Sequence, residues 1–328
     1  MNTERLPYSY SQFSYLDCWP GPGLLSEGLV DAPEKLVILY TGAVEAFLGS
    51  NFLPEFPLTD KAFLVFKKYL PSFLQVDRWK EFQVDQIGDM SLGSHSLIQG
   101  EITAQALYFD AETFSLTFQE KDLMLAAAIL HDLGELTTGD TTFDHKELGF
   151  EEAEAATEMI SKAGLTNHQQ RQLIEAYLRI TTSLHRKHIV GILGQESTFD
   201  QEIKWQDLRR LFNLYERYGY LITAILVWPF PISGRIGGLT EEDLVRLQTW
   251  NRAELEQALV QEENVSEPTR AAILFKNVVL NQWPHVTQAF KGGVFSARLF
   301  FNNALARPVI MNADLLMGLG LNLSLFSE

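Results

Sequence analysis

"LAAAILHDLGELTTGD", residues 125–140, is the stretch on which the reading of this chain turns. Its first half, Leu125 to Leu130, is apolar and helix-forming; it runs straight into His131-Asp132, followed by Gly134, Glu135, Gly139 and Asp140. Burying a charge without a partner is costly, so an apolar helix that ends in ionisable groups needs a metal, a counter-ion or a substrate to meet them. Adjacent residues on a helix point about 100° apart, so His131 and Asp132 can both line one pocket near a helix terminus. Imidazole and carboxylate suit a hard-to-borderline divalent ion, and a site with an open position can activate water. A satisfied structural network is the other use of such a cluster.

Working outward, the dominant pattern is helical. Ala32 to Gly49 carries an apolar stripe ended by glycine, and the segment after Thr59 or Asp60, either a plausible N-cap, reads as a helix broken at Pro71. Helices are expected over Ser94 to Tyr108, Gln119 to Leu130, Glu147 to Ala163, Asn167 to about Gly194 and Asp200 to Val227. The run "WPFPISGRIGG", Trp228 to Gly238, is dense in Pro and Gly and reads as a boundary. Thr240 then opens a further helix, and the strongly apolar last fifty residues are expected to pack back on the body. Sustained β alternation is scarce, so the fold class is all-α. Three segments follow: an arm and helices over 1–74, a central helical domain over 75–230 and a C-terminal helical extension over 231–328.

The chain has 328 residues, of which 46% are hydrophobic and 21% charged, an ordinary globular composition with ample material for a core. Its net charge of -16 argues against a nucleic-acid polymer as partner, because phosphate neutralisation needs a basic surface. A mononucleotide survives that filter, since one or two local cations can meet its phosphate. The single cysteine, Cys18, excludes an intramolecular disulfide and a thiolate zinc cage, so any metal must sit on His, Asp and Glu. The N-terminal twenty residues lack the basic-plus-apolar pattern of a signal segment, and no apolar run reaches about twenty residues. No membrane span is expected, and a cytoplasmic location is.

A second histidine, His95, opens an upstream helix in a "HS" context, about fifteen residues after Arg78-Trp79. The ordered set Arg78-Trp79, His95-Ser96, "HDLGE" from His131 to Glu135, and Gly139-Asp140 resembles the HD-domain metal-dependent phosphohydrolases. Within them it is most similar to the 5'-deoxynucleotidase branch, which removes phosphate from deoxynucleoside monophosphates. Lys146 and the acidic helix after it also resemble that branch, and the likeness runs from Arg78 to about Glu158. It implies an HD-type helical bundle for the central domain and a divalent ion (Mn, Co, Mg, Fe, Ni or Zn) held by His95, His131 and Asp132.

The resemblance further implies that Glu135 is the general acid or base, with Asp140 contacting the sugar or orienting Glu135. Arg78 and Lys146 would clamp phosphate, and Trp79 would wall the base or sugar. The family's fourth ligand is an aspartate on a later helix. Asp207 is the assignment for it; Asp200 fits the spacing from Asp132 as well, and Lys204 at that position would remove a ligand. The expected substrate is small and phosphorylated, of nucleotide type. Two other readings stay open, a catalytically weak HD protein that senses nucleotides or binds a partner, and a di-iron oxygenase. His185 and His188, three apart in "LHRKH", would share a helical face as a solvated basic patch. The terminal segments could shape the pocket or a homodimer interface.

Overall fold

The computed structural model describes residues 56–73, 76, 92–111, 113–139, 149–226, 241–265 and 269–277. Among them every regular element is a helix: α1 (Pro57–Phe73), α2 (Leu92–Asp110), α3 (Phe118–Leu130), α4 (Glu135–Thr138), α5 (Phe150–Ser161), α6 (Asn167–Thr181), α7 (Arg186–Leu193), α8 (Trp205–Leu226), α9 (Glu241–Glu263) and α10 (Arg270–Asn277). The all-α class is therefore the observed one. The expectations for 1–49, for the 228–238 boundary, for Thr240 and for the apolar C-terminal stretch lie outside the described residues, as do Arg78, Trp79, Asp140 and Lys146.

The apolar half of the opening stretch is the centre of the bundle. From Asp122 to Leu130 every residue of α3 is buried, and α1, α2, α6 and α8 pack around it. A helix apolar on all sides has no solvent face to offer, so it must be enclosed. Three successive alanines, Ala126 to Ala128, leave little bulk between α3 and its neighbours. A capping box starts the helix: Thr117 accepts from Glu120 N–H, and the Glu120 carboxylate accepts from Thr117 N–H at 2.7 Å.

Buried polar groups lock the other helices to this centre. The Asp122 carboxylate accepts from Leu58 N–H (2.8 Å), Thr59 N–H (2.7 Å) and the Thr59 hydroxyl (2.7 Å), so a carboxylate on α3 caps the start of α1. That tertiary cap explains why α1 begins at Pro57, ahead of the expected Thr59 or Asp60; proline suits a first turn because its missing N–H leaves no donor unmet. Pro71, read as a break, lies inside α1, only two residues before its end at Phe73. Asp110, fully buried at the end of α2, accepts from the Tyr215 hydroxyl on α8 (2.6 Å) and from Ala271 N–H on α10 (3.2 Å). Burial and the neighbouring Asp110 carboxylate push the Tyr215 hydroxyl well above its ordinary range.

The helical stretch expected from Asn167 to about Gly194 is two helices. Thr182 is extended, and the His185 side chain, Nδ1 accepting from Lys187 N–H at 3.3 Å, caps α7. His185 thus stands outside the helix that carries His188, and the two do not share a helical face; both are exposed. Among the described residues no helix is long and apolar enough to cross a membrane.

Candidate metal centre

At Leu130 the α3 helix gives way to a turn, residues 131–134, closed by Leu133 N–H to Leu130 C=O (2.9 Å) and Glu135 N–H to Asp132 C=O (3.1 Å). The turn leads directly into α4, which begins at Glu135. Gly134 is needed there for space. A Cβ on it would sit 2.3 Å from the carbonyl oxygen of Glu152 in α5, so only glycine lets the turn lie this close to α5.

Into the pocket beside this turn α2 brings His95. The side chains of His95, His131 and Asp132 are all buried, and one ligand atom from each lies within 4.8 Å of the others. The two Asp132 oxygens face different histidines, Oδ1 at 3.2 Å from His131 Nε2 and Oδ2 at 3.7 Å from His95 Nε2. The imidazole rings stand 5.0 Å apart, edge to face. His131 is oriented by its other nitrogen, Nδ1, which lies 2.8 Å from the Ala128 carbonyl oxygen. A carbonyl can only accept, so Nδ1 carries the proton, and in the neutral ring Nε2 presents a lone pair. That buried Nε2 has no hydrogen-bond partner, although a carboxylate oxygen lies beside it. Lone pairs of imidazole and carboxylate facing one another in a dry pocket repel, and a cation between them turns repulsion into ligation. The residues present fit a divalent ion, and the Ala128 contact is the outer hydrogen bond such a ligand needs.

Two aromatic residues of α8 back the histidines: Phe212 meets the His131 ring at 5.9 Å, and Tyr220 meets His95 at 5.3 Å. His131 and Asp132 open onto a cavity of about 580 Å³. Its walls come from α6, with Tyr177 and Thr181, from α8, with Arg209 and Glu216, and from α9, with Gln261. Two further arginines on this wall are neutralised, Arg210 by a two-pronged pairing with Glu262 (2.9 and 3.0 Å) and Arg217 by Glu254 (3.1 Å). Arg209 makes no ion pair among the described residues, which leaves it the cation available to an anion in the cavity.

The structure therefore brings His95, His131 and Asp132 together. Glu135, four residues after His131, is buried on the same turn, but it is not among the residues lining the cavity. Asp207 is not drawn in. It lies in the first turn of α8, outside the metal-capable group. Glu216, nine residues further along α8, lines the cavity but likewise stands outside the metal-capable group. Asp200 is exposed in the loop before α8. Lys204 does not take the ligand position either, because its ammonium donates to the Phe114 and Ser115 carbonyls at 2.7 and 2.8 Å.

Sequence reasoning missed Arg209, Glu216, Tyr220 and the contribution of α9. One signal was present: Arg209, Asn213, Glu216 and Tyr220 recur at helical spacing as a polar stripe beside the apolar face of Leu208, Leu211, Tyr215 and Tyr218.

Comparison with known proteins agrees with this geometry. No curated protein and no solved structure matches the chain. Residues 94–209, from just before His95 into the first turns of α8, match the model of the HD domain, and over that span the chain carries an HD domain.

Proposed function

We propose that this protein is a metal-dependent phosphomonoesterase acting on a nucleotide-like substrate, a deoxynucleoside monophosphate in the closest reading. The observation that carries the proposal is the His131 Nε2 lone pair, buried and turned toward Asp132 at the end of a cavity whose wall holds Arg209. A divalent ion at such a site supplies Lewis acidity, polarising the phosphoryl group and making water a better nucleophile at neutral pH. The protein's part is orientation and proton transfer. His95, His131 and Asp132 hold the ion. Glu135 would take the proton from the attacking water as the new P–O bond forms and hand it to the leaving oxygen as the ester P–O bond breaks, releasing phosphate and the nucleoside alcohol. Arg209 offers a guanidinium to the phosphate from the cavity wall, and on the resemblance in sequence Arg78 and Lys146 would bind phosphate and Trp79 and Asp140 the base and sugar.

The experiment is metal analysis of the purified chain together with a phosphate-release screen over nucleoside monophosphates. Bound metal, with turnover that vanishes in Glu135→Ala, is the expected result. Absence of metal at saturating Mn²⁺ or Co²⁺ would sink the proposal.

A further inference from the structure

We propose that the cavity where the first turns of α1, α3 and α6 meet is a second small-molecule site, one that takes a planar aromatic ring carrying an anionic group. It measures about 430 Å³, within the range of roughly 300–1,000 Å³ usual for such sites. None of its lining residues lines the cavity beside His131. Leu123 on its wall lies eight residues before His131, about 12 Å along α3, so a ligand held here is clear of the reacting groups.

The walls favour a ring. Phe118 stacks on Phe56, with ring centroids 4.6 Å apart and planes 15° from parallel, and is still 45% exposed. One face of Phe118 is therefore covered, and the other can take a further ring in the same stack. Phe199, half-buried and held against Trp205 at 5.8 Å, adds a second aromatic wall. The buried Leu58 and Leu123 complete the apolar lining.

The polar groups around that lining are mostly donors. Gln169 has its orientation fixed by the α6 capping box, in which its Oε1 accepts from Thr166 N–H at 3.1 Å. Its Nε2 amide is left as the free end, and that end can only donate. Lys61 and His168 line the same cavity. The Lys61 ammonium pairs with Asp60 at 2.7 Å, but a contact between adjacent, partly exposed side chains is weak and is readily exchanged for a ligand anion. The one carboxylate among the described lining residues, Asp122, is already matched, accepting from Leu58 N–H, Thr59 N–H and the Thr59 hydroxyl. Its charge is directed into the start of α1. Apolar walls ringed by donors and a cation select an aromatic carboxylate, sulfonate or phosphate over a neutral or cationic ring.

The test is a calorimetric titration of the full-length chain with 1-naphthoate and with its neutral counterpart, 1-naphthamide. Wild type, Phe118→Ala, Lys61→Gln and Arg209→Gln are compared. In wild type, 1-naphthoate is expected to saturate one site per chain and to bind more tightly than the amide. Phe118→Ala should weaken it by about 3- to 10-fold through loss of the stack. Lys61→Gln should narrow its advantage over the amide, and so should added salt. Phe118 and Lys61 are both partly exposed, and the two variants probe ring and charge separately, so the proposal stays falsifiable if one of them does not fold. Naphthoate that fails to saturate at millimolar concentration overturns the proposal. So does a Phe118→Ala affinity equal to wild type, or an amide that binds as tightly as naphthoate. A loss of naphthoate binding in Arg209→Gln places the probe in the cavity beside the metal centre, and that outcome overturns the proposal too.

Discussion

Gly134 shows how one missing side chain sets the site. It sits between Asp132, which faces both histidines, and Glu135, and an added Cβ would meet the Glu152 carbonyl oxygen, carbon and Cα at 2.3, 2.8 and 2.9 Å. Those are backbone atoms, so no rotamer change relieves the clash, and either the turn or α5 must move. Gly134→Ala is therefore expected to cost about 1–3 kcal/mol, the usual range for overpacking a buried contact. It should also weaken Mn²⁺ binding, because Asp132 rides on the displaced turn. Urea denaturation and metal titration of the variant check both effects, and wild-type values in both would show that the turn tolerates the extra atom. His131 and Asp132 could be picked out from sequence because they are consecutive with the helix that presents them. Their ligand chemistry follows from residue type, and their placement from the end of an apolar run.

Elements were harder to read than residues wherever a distant group decided the outcome. The start of α1 is set by Asp122, more than sixty residues away in sequence, and no local cap could have revealed it. On α8 the composition and approximate span were legible, but the rotational phase was not. Which polar residues of α8 line the cavity depends on which side of the helix packs inward, and that is fixed by Leu208, Leu211, Phe212 and Tyr215 meeting the rest of the core.

Asp122 also offers a prediction at this scale. Burial raises its carboxyl above the ordinary value, outweighing the hydrogen bonds from Thr59 and Leu58 that lower it. With the folded pKa above the unfolded one, protonation contributes stability that is fully present below about pH 3.9 and is lost as pH rises through the folded value. Asp122→Asn has no such titration. The stability of wild type relative to Asp122→Asn should therefore fall between pH 4 and pH 7, as read from urea midpoints at the two values. Parallel pH profiles for the two proteins would contradict the raised pKa.

At the scale of the molecule, the segment that matches the HD domain is smaller than the unit that builds the site. Residues 94–209 retain His95, His131 and Asp132, but end five residues into α8. The span lacks Phe212 and Tyr220, which back the two histidines, and Glu216, which lines the cavity. It also lacks α1, which packs on α3 and takes its N-terminal cap from Asp122, and α9, which walls the cavity and neutralises Arg210 and Arg217. Asp110 at the end of α2 would also lose the Tyr215 hydroxyl and the α10 backbone N–H that it accepts from in the full chain. Each loss is of a kind that destabilises a domain by a sizeable part of its total stability, which is only about 5–15 kcal/mol. A fragment comprising residues 94–209 is accordingly expected to show no cooperative thermal transition by circular dichroism and no saturable Mn²⁺ binding, whereas the full chain shows both. A fragment that melts cooperatively and binds the metal as the full chain does would mean that α1, α9 and most of α8 are dispensable to the site.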